Sequence, residues 1–207
     1  KQFNRGQASS VAGATIVAIW NECLSSVLNV FQLLSEHPKV RSKTLFFLRR
    51  MVIALGDGLL VTLPHVIPLF IQHICDPSTA TDFLAFIVHL AARYKDRFAP
   101  VLDQLLKPLL ISVMQVVDAS KPPAGVPLSD LNAAFTALAA ERTALLKNLY
   151  AMLNALVTQA GVGLSEVLVS PVNVEYFPHV FELILQGLSE PQDLSIHKTN
   201  LLTLQTL

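Results

Sequence analysis

The chain has 207 residues, 52% of them hydrophobic and only 14% charged, with a formal net charge of +0 and a mean hydropathy of +0.51. Neutrality excludes a globally basic nucleic-acid binder, so any site for a polyanion has to be local. Two cysteines exclude a disulfide-stapled domain. The apolar content is high for an ordinary soluble domain but suits a helical repeat, in which each hairpin buries its inner side and both stacking faces.

Residues 1–13 are polar and Gly/Ser-rich and read as a linker or frayed lead-in, with no apolar signal-peptide core. From Ala14 to Ser35 the spacing of Ile16, Ile19, Trp20, Cys23, Val27, Val30, Phe31 and Leu34 predicts an amphipathic helix. Glu36-His37-Pro38 closes it. This partial unit, 14–36, reads as the second half of a repeat. Cys23 and Cys75 both fall on apolar helical faces and are expected to be reduced core residues of an intracellular protein.

Arg41 to Ile74 is the unit that the rest of the chain repeats. Leu45, Leu48, Val52 and Leu55 share one helical face, Gly56-Asp-Gly58 breaks it, and Pro64 opens a second apolar run of Val66, Ile67, Phe70, Ile71 and Ile74. A helix, a short connection and a second helix make a helical-hairpin repeat, which cannot bury its apolar face alone. Two proline series set the period. Pro38 and Pro77, 39 residues apart, precede first helices; Pro64 and Pro100, 36 apart, sit near the start of second helices. Pro178 continues the second series after a further 78 residues, about twice the period. Proline is tolerated there because a first-turn N–H has no intrahelical partner.

The hairpins therefore span about 39–76, 79–118 and an oversized 129–189, with a partial fourth unit at 191–207. Thr79-Ala-Thr-Asp82 supplies a capping-box-like start to the second hairpin. After the breaker loop Ser120–Pro127, a long helix is predicted from Ser129 to Gln159, with a seam at Leu131, Phe135, Leu138, Leu145, Leu149, Met152 and Leu156 and Arg142 in its polar slot. The seam suits a solenoid helix packed on its neighbours better than a coiled-coil strand. Gly161 and Gly163 end it, and Glu175 to Leu188 is its second helix. The fold class read from this pattern is all-α, an α-solenoid of HEAT-type hairpins. The chain does not begin with Met, and Asn200–Leu207 stops inside an amphipathic pattern, so it reads as a piece of something longer.

Gly58 to Cys75 is uncharged and about long enough to span a bilayer. It carries Pro64, His65, Pro68, Gln72 and His73 and has neither a C-terminal Lys/Arg flank nor an aromatic belt, so no membrane insertion is expected. No phosphate loop is present, because Gly56-Asp-Gly58 lacks the spacing and the following Lys. The histidines are scattered, and His65 and His179, which follow equivalent prolines, read as repeat-consensus packing residues. Cys23, Ser25 and Ser26 have no base or nucleophile-elbow context. Neither an enzyme nor a cofactor or metal site is expected. Two basic groups remain. Lys39, Lys43 and Arg50 lie opposite an apolar face and read as a solvated outer surface, with Phe46 exposed on the same polar side. Arg93, Lys95 and Arg97, with Tyr94 interleaved and Lys107 on the following helix, read either as a phosphate-contacting turn or as a merely soluble turn that caps helix 79–93.

The run Phe47-Leu-Arg-Arg-Met-Val-Ile-Ala-Leu-Gly56, followed by Leu63-Pro-His65, resembles the C-terminal part of the exportin-T family of karyopherins. A second similarity lies at Gly163-Leu-Ser-Glu-Val-Leu168 and in the helix ending Ile184-Leu-Gln-Gly187, so that the resemblance covers roughly residues 39–200. Thr62 stands where the family has an aromatic, and the loop at 118–129 is unusually proline-rich. The resemblance implies a HEAT-repeat nuclear export receptor shuttling between nucleus and cytoplasm. It would bind tRNA together with Ran-GTP, the latter mainly through repeats outside this chain, and would meet nuclear pore proteins in transit. Two alternatives stay open: a HEAT scaffold binding only proteins, and a karyopherin for protein cargo, for which exposed Phe46 is the one hint of a peptide groove.

Overall fold

The computed structural model describes residues 11–121, 133–159, 163–189 and 194–206, and among these every regular element is helical. Ten α-helices follow one another: α1 (Val11–Leu34), α2 (Pro38–Leu55), α3 (Asp57–Leu60), α4 (Leu63–Ile71), α5 (Pro77–Tyr94), α6 (Ala99–Ala119), α7 (Ala133–Gln159), α8 (Gly163–Leu168), α9 (Phe177–Ser189) and α10 (Leu194–Thr206). The class is all-α, of the helical-hairpin repeat or α-solenoid type. The chain divides into two compact units, residues 1–69 and 70–207.

The prolines phase the helices as their chemistry dictates. Pro38 and Pro77 are the first residues of α2 and α5, while Pro64, Pro100 and Pro178 are each the second residue of α4, α6 and α9. A residue without an N–H costs nothing in a first turn, and its fixed φ already suits the helix. Gly56 ends α2 with φ 52°, a left-handed conformation that favours glycine. The true cap of α5 is Asp76, not the Thr79–Asp82 group: its carboxylate accepts from the Thr79 N–H at 2.8 Å and from the Thr79 hydroxyl at 2.7 Å. The uncharged run from Gly58 to Cys75 is broken into α3 and α4, so it is not one continuous helix. The described helical run long and apolar enough to cross a membrane by length and composition is Pro77–Ala119, half of whose most apolar window is buried in the fold. Core helices have the same property.

In the first unit α1 packs on α2. Trp20 stacks on Phe47 with ring centroids 5.4 Å apart, over a core of Leu24, Phe31, Leu45, Leu48 and Val52. Arg41 is buried there and donates to Ser35 O at 2.7 Å and Glu36 O at 3.2 Å, which pins the turn between the two helices. The buried stripe of α1 is narrower than its sequence suggests, since Ile16, Ile19, Cys23, Val30 and Leu34 are exposed. Cys75 is exposed as well, so neither cysteine is a core residue; the apolar positions around Cys23 outnumber those one partner helix can cover.

In the second unit α7 is the most extensively packed helix, with α5 and α10 as its chief partners. Two buried faces replace the single seam. Leu145, Leu149, Met152 and Leu156 are buried as expected, but so are Leu146, Tyr150 and Leu153. The N-terminal end of the seam is different: Phe135 is exposed, Leu138 is half-buried, and Leu131 lies outside the described residues. Arg142 donates through Nε to Val117 O at 3.2 Å, so the polar slot is filled by a cation satisfying the C-terminal end of α6. The breaker loop Ser120–Pro127 and residues 1–10 of the lead-in 1–13 lie largely outside the described residues, as do Gly161 and residues 190–193, while residues 11–13 of the lead-in already belong to α1.

α9 and α10 approach closely at Gly187. A Cβ there would strike Asn200 Nδ2 and would lie 2.7 Å from Cζ of Tyr150, so this glycine is required by packing. Asn154 ties α7 to α10 by donating to Thr203 Oγ1 at 3.1 Å. A second polar tie joins α6 to the segment after α8: Asn173 Nδ2 donates to Asp103 O at 2.8 Å and to its Oδ1 at 3.0 Å, and the Ser170 hydroxyl donates to the same carboxylate. The sequence offers no spacing signal for this tie, since its members lie 67 and 70 residues apart.

Candidate nucleic-acid interface

The turn between α5 and α6 is built from two buried aromatics and three exposed cations. Tyr94 closes α5 and Phe98 precedes α6, and both are buried. Between them Lys95–Phe98 forms a single 3₁₀ turn, a short connector in which side chains on successive residues splay outward. Arg93 lies in the last turn of α5, where a cation complements the helix dipole. Arg93, Lys95 and Arg97 are all exposed, with the exposed carboxylate of Asp96 among them, so the turn carries a net +2. Lys107 does not belong to this cluster. It is half-buried, and eight residues into α6 it stands about 12 Å along the helix axis from Ala99.

Lys95 has φ 49° and ψ −132°, the one non-glycine with positive φ among the described residues. Its N–H still caps α5 by donating to Ala91 O. The conformation is one that glycine adopts freely and a lysine only with strain. Tyr94, placed between the cations in sequence, is not available to a ligand, because it faces the core.

The second basic group is exposed to solvent, as its sequence pattern leads one to expect. α2 carries Lys39, Arg41, Lys43, Arg49 and Arg50 with no acidic residue in its 18 positions. Arg41 is spent on the turn carbonyls and Arg49 is half-buried, which leaves Lys39, Lys43 and Arg50 in solvent. Phe46 is 58% exposed beside them, and the Arg50 guanidinium lies 5.6 Å from its ring centroid.

The histidines at equivalent repeat positions do not pack in the core. His65 is exposed, and His179 is exposed with its ring stacked on Tyr176, centroids 5.1 Å apart. These two rings border a small cavity of about 220 Å³ between α6 and α9, lined also by Leu110, Met114, Val180 and Leu183. Desolvation pushes the Tyr176 phenol above its ordinary value. Among the described residues no group of three or more His, Cys, Asp or Glu could hold a metal ion.

A chain of helical hairpins presenting cations at its turns and along its helix faces is a repeat protein of the α-solenoid class, whose chemistry is recognition by surface. The model of the Exportin-T family matches residues 2–207, and the chain belongs to that family. It is 26% identical over 183 residues to Exportin-T of Dictyostelium discoideum, covering 88% of this chain and 16% of that protein. It is likewise 26% identical to human Exportin-T over 207 residues, which is 100% of this chain and 20% of the relative. Exportin-T of Danio rerio is 27% identical over 120 residues, 56% of this chain and 12% of the relative. The chain thus spans a fifth or less of the length of these relatives.

Proposed function

We propose that this chain is a segment of a nuclear export receptor that binds tRNA together with Ran-GTP and carries it from nucleus to cytoplasm, acting by binding and not as an enzyme. Ran-GTP contacts fall mainly in repeats outside this chain, and nuclear pore proteins are partners in transit. Family membership supports this reading. Within the chain, tRNA phosphates meet the turn of Arg93, Lys95 and Arg97, with Lys107 further along the following helix, α6. The observation that carries this assignment is Lys95. A strained backbone of this kind costs about 1–3 kcal/mol and is kept where its geometry is used. Glycine would relieve the strain but would remove an exposed cation from the centre of the turn.

The test is Arg93→Glu with Arg97→Glu in the full-length receptor, with tRNA binding measured by filter retention in the presence of Ran-GTP at several salt concentrations. Each lost phosphate contact reduces the log K against log salt slope by about 0.7–0.9, so the pair should flatten it by roughly 1.5. The loss should be similar for all tRNA species, because backbone contacts carry no sequence information. Unchanged affinity with an unchanged slope would remove this turn from the RNA surface and leave it a solvated inter-helix turn.

A further inference from the structure

We propose that the outward face of α2 is a binding site for single-stranded RNA, with Lys39, Lys43 and Arg50 holding successive phosphates and Phe46 stacking on a base. At 100° per residue these four side chains fall within an arc of about 60°, directly opposite buried Leu45, Leu48 and Val52. They run about 16 Å along the helix, three turns, with one cation or aromatic at every turn. Neither Lys39, Lys43 nor Arg50 has an ion-pair partner among the described residues. The nearest carboxylates in sequence, Glu36 and Asp57, lie beyond the two ends of α2.

Charge and shape select the occupant. A solvated surface helix usually alternates its charges, whereas this one carries five cations and no anion in a chain that is neutral overall. That favours a polyanion. An amphipathic peptide is disfavoured, because the stripe presents a single apolar side chain between cations and no groove. A ring 58% exposed, with the Arg50 guanidinium over one face, leaves its other face for a base, and alternating cations with planar groups is how sequence-tolerant sites hold single strands. The choice of RNA as the strand rests on the export-receptor reading; the chemistry of the face does not.

The experiment measures anisotropy of a labelled 20-nucleotide oligo-U, a 20-base-pair RNA duplex and a labelled polyglutamate with the full 207-residue chain at about 50 mM salt, where phosphate contacts are strong. Lys39→Glu with Lys43→Glu and Arg50→Glu should weaken oligo-U more than 10-fold and lower its salt slope by about 2, three contacts at 0.7 each. Phe46→Ala should weaken oligo-U about 5-fold or more and leave the duplex unaffected, since only an unpaired base can stack. Circular dichroism checks that each variant keeps its helices. Oligo-U binding that is indifferent to Phe46→Ala overturns the proposal, and so does polyglutamate binding as tightly as oligo-U, which would make the face a docking surface for acidic protein. The Arg93→Glu, Arg97→Glu variant is titrated alongside. Loss of oligo-U there with none at α2 overturns this proposal alone; loss at α2 with none at the turn removes only the turn.

Discussion

Gly187→Ala tests the packing of the second unit, because two ordinary effects oppose each other there. In an open helix the change stabilises by about 1 kcal/mol, the difference in helix propensity. At Gly187 the new Cβ would strike the Asn200 amide and come within 2.7 Å of Tyr150 Cζ and 3.0 Å of its Cε1. Neither neighbour can swing into solvent, since Tyr150 is 2% exposed and Asn200 0%. α9 must therefore move off α7 and α10, or the two side chains must leave their rotamers. Overpacking of one such contact costs about 1–3 kcal/mol, and two neighbours are hit, so a gross cost of about 2–4 kcal/mol exceeds the propensity gain. The net expectation is a loss of about 1–3 kcal/mol. Urea unfolding followed by circular dichroism should show it as a midpoint lower by roughly 0.5–1.5 M, for an m-value of about 2 kcal/mol/M. Asn200 has neither side-chain polar atom hydrogen-bonded. Asn200→Ala in the same chain should thus recover at least about 1 kcal/mol by making room and removing a buried unpaired amide. A Gly187→Ala chain more stable than the parent would refute the close approach of α9 and α10.

Lys95→Gly should raise stability by up to about 2 kcal/mol, since relief of about 1–3 kcal/mol of strain outweighs the 0.4–1 kcal/mol entropy of a freer unfolded chain; the same variant should bind tRNA more weakly, and thermal melts beside filter binding check both. Leu149→Ala, at a position with no solvent exposure, should cost about 2–5 kcal/mol in urea unfolding, whereas a little-changed midpoint would mean that α7 presents an open face there. Asp76→Ala removes both bonds to Thr79 and should cost about 0.5–2 kcal/mol, with faster hydrogen exchange confined to the first turn of α5.

Helix phasing was readable from the sequence because proline and glycine act on their own backbone. Pro38, Pro64, Pro77, Pro100 and Pro178 mark five helix starts, and Gly56 marks one end, without reference to any neighbour. Which face a helix buries is another matter, since it depends on how many partners the helix has. α7 packs on several, chiefly α5 and α10, so its apolar residues fill more than one stripe, and a search for one seam found only half of them. α1 shows the converse: its apolar residues exceed what α2 covers, and Cys23 emerges on the surface. The cap of α5 was misplaced for a smaller reason. Asp76-Pro77-Ser-Thr79 already has a capping carboxylate, a first-turn proline and a donor three residues on, but Thr79 and Asp82 offer a similar pattern one turn later.

For the candidate sites, the cations were visible in sequence but their aromatic companions were exchanged. Tyr94 sits between Arg93 and Lys95 in the linear sequence, interleaved with the cations of that turn; Phe46 sits among apolar neighbours and was weighed only as the hint of a peptide groove. Helical geometry separates the two cases. Tyr94 falls 11 residues after Phe83, 7 after Ile87 and 4 after Leu90, on the arc that α5 turns to the core, and its ring holds the turn in place from beneath. Phe46 falls 7 residues after Lys39, 3 after Lys43 and 4 before Arg50, on the arc that α2 turns away from its core. An aromatic that shares its arc with leucines is a packing residue however many cations adjoin it, whereas one that shares its arc with cations stays exposed to solvent. On that physical ground the stripe on α2, and not the Tyr94 turn, is where we propose that planar stacking joins phosphate contact, and Phe46→Ala is the substitution that separates a stacking surface from a merely charged one.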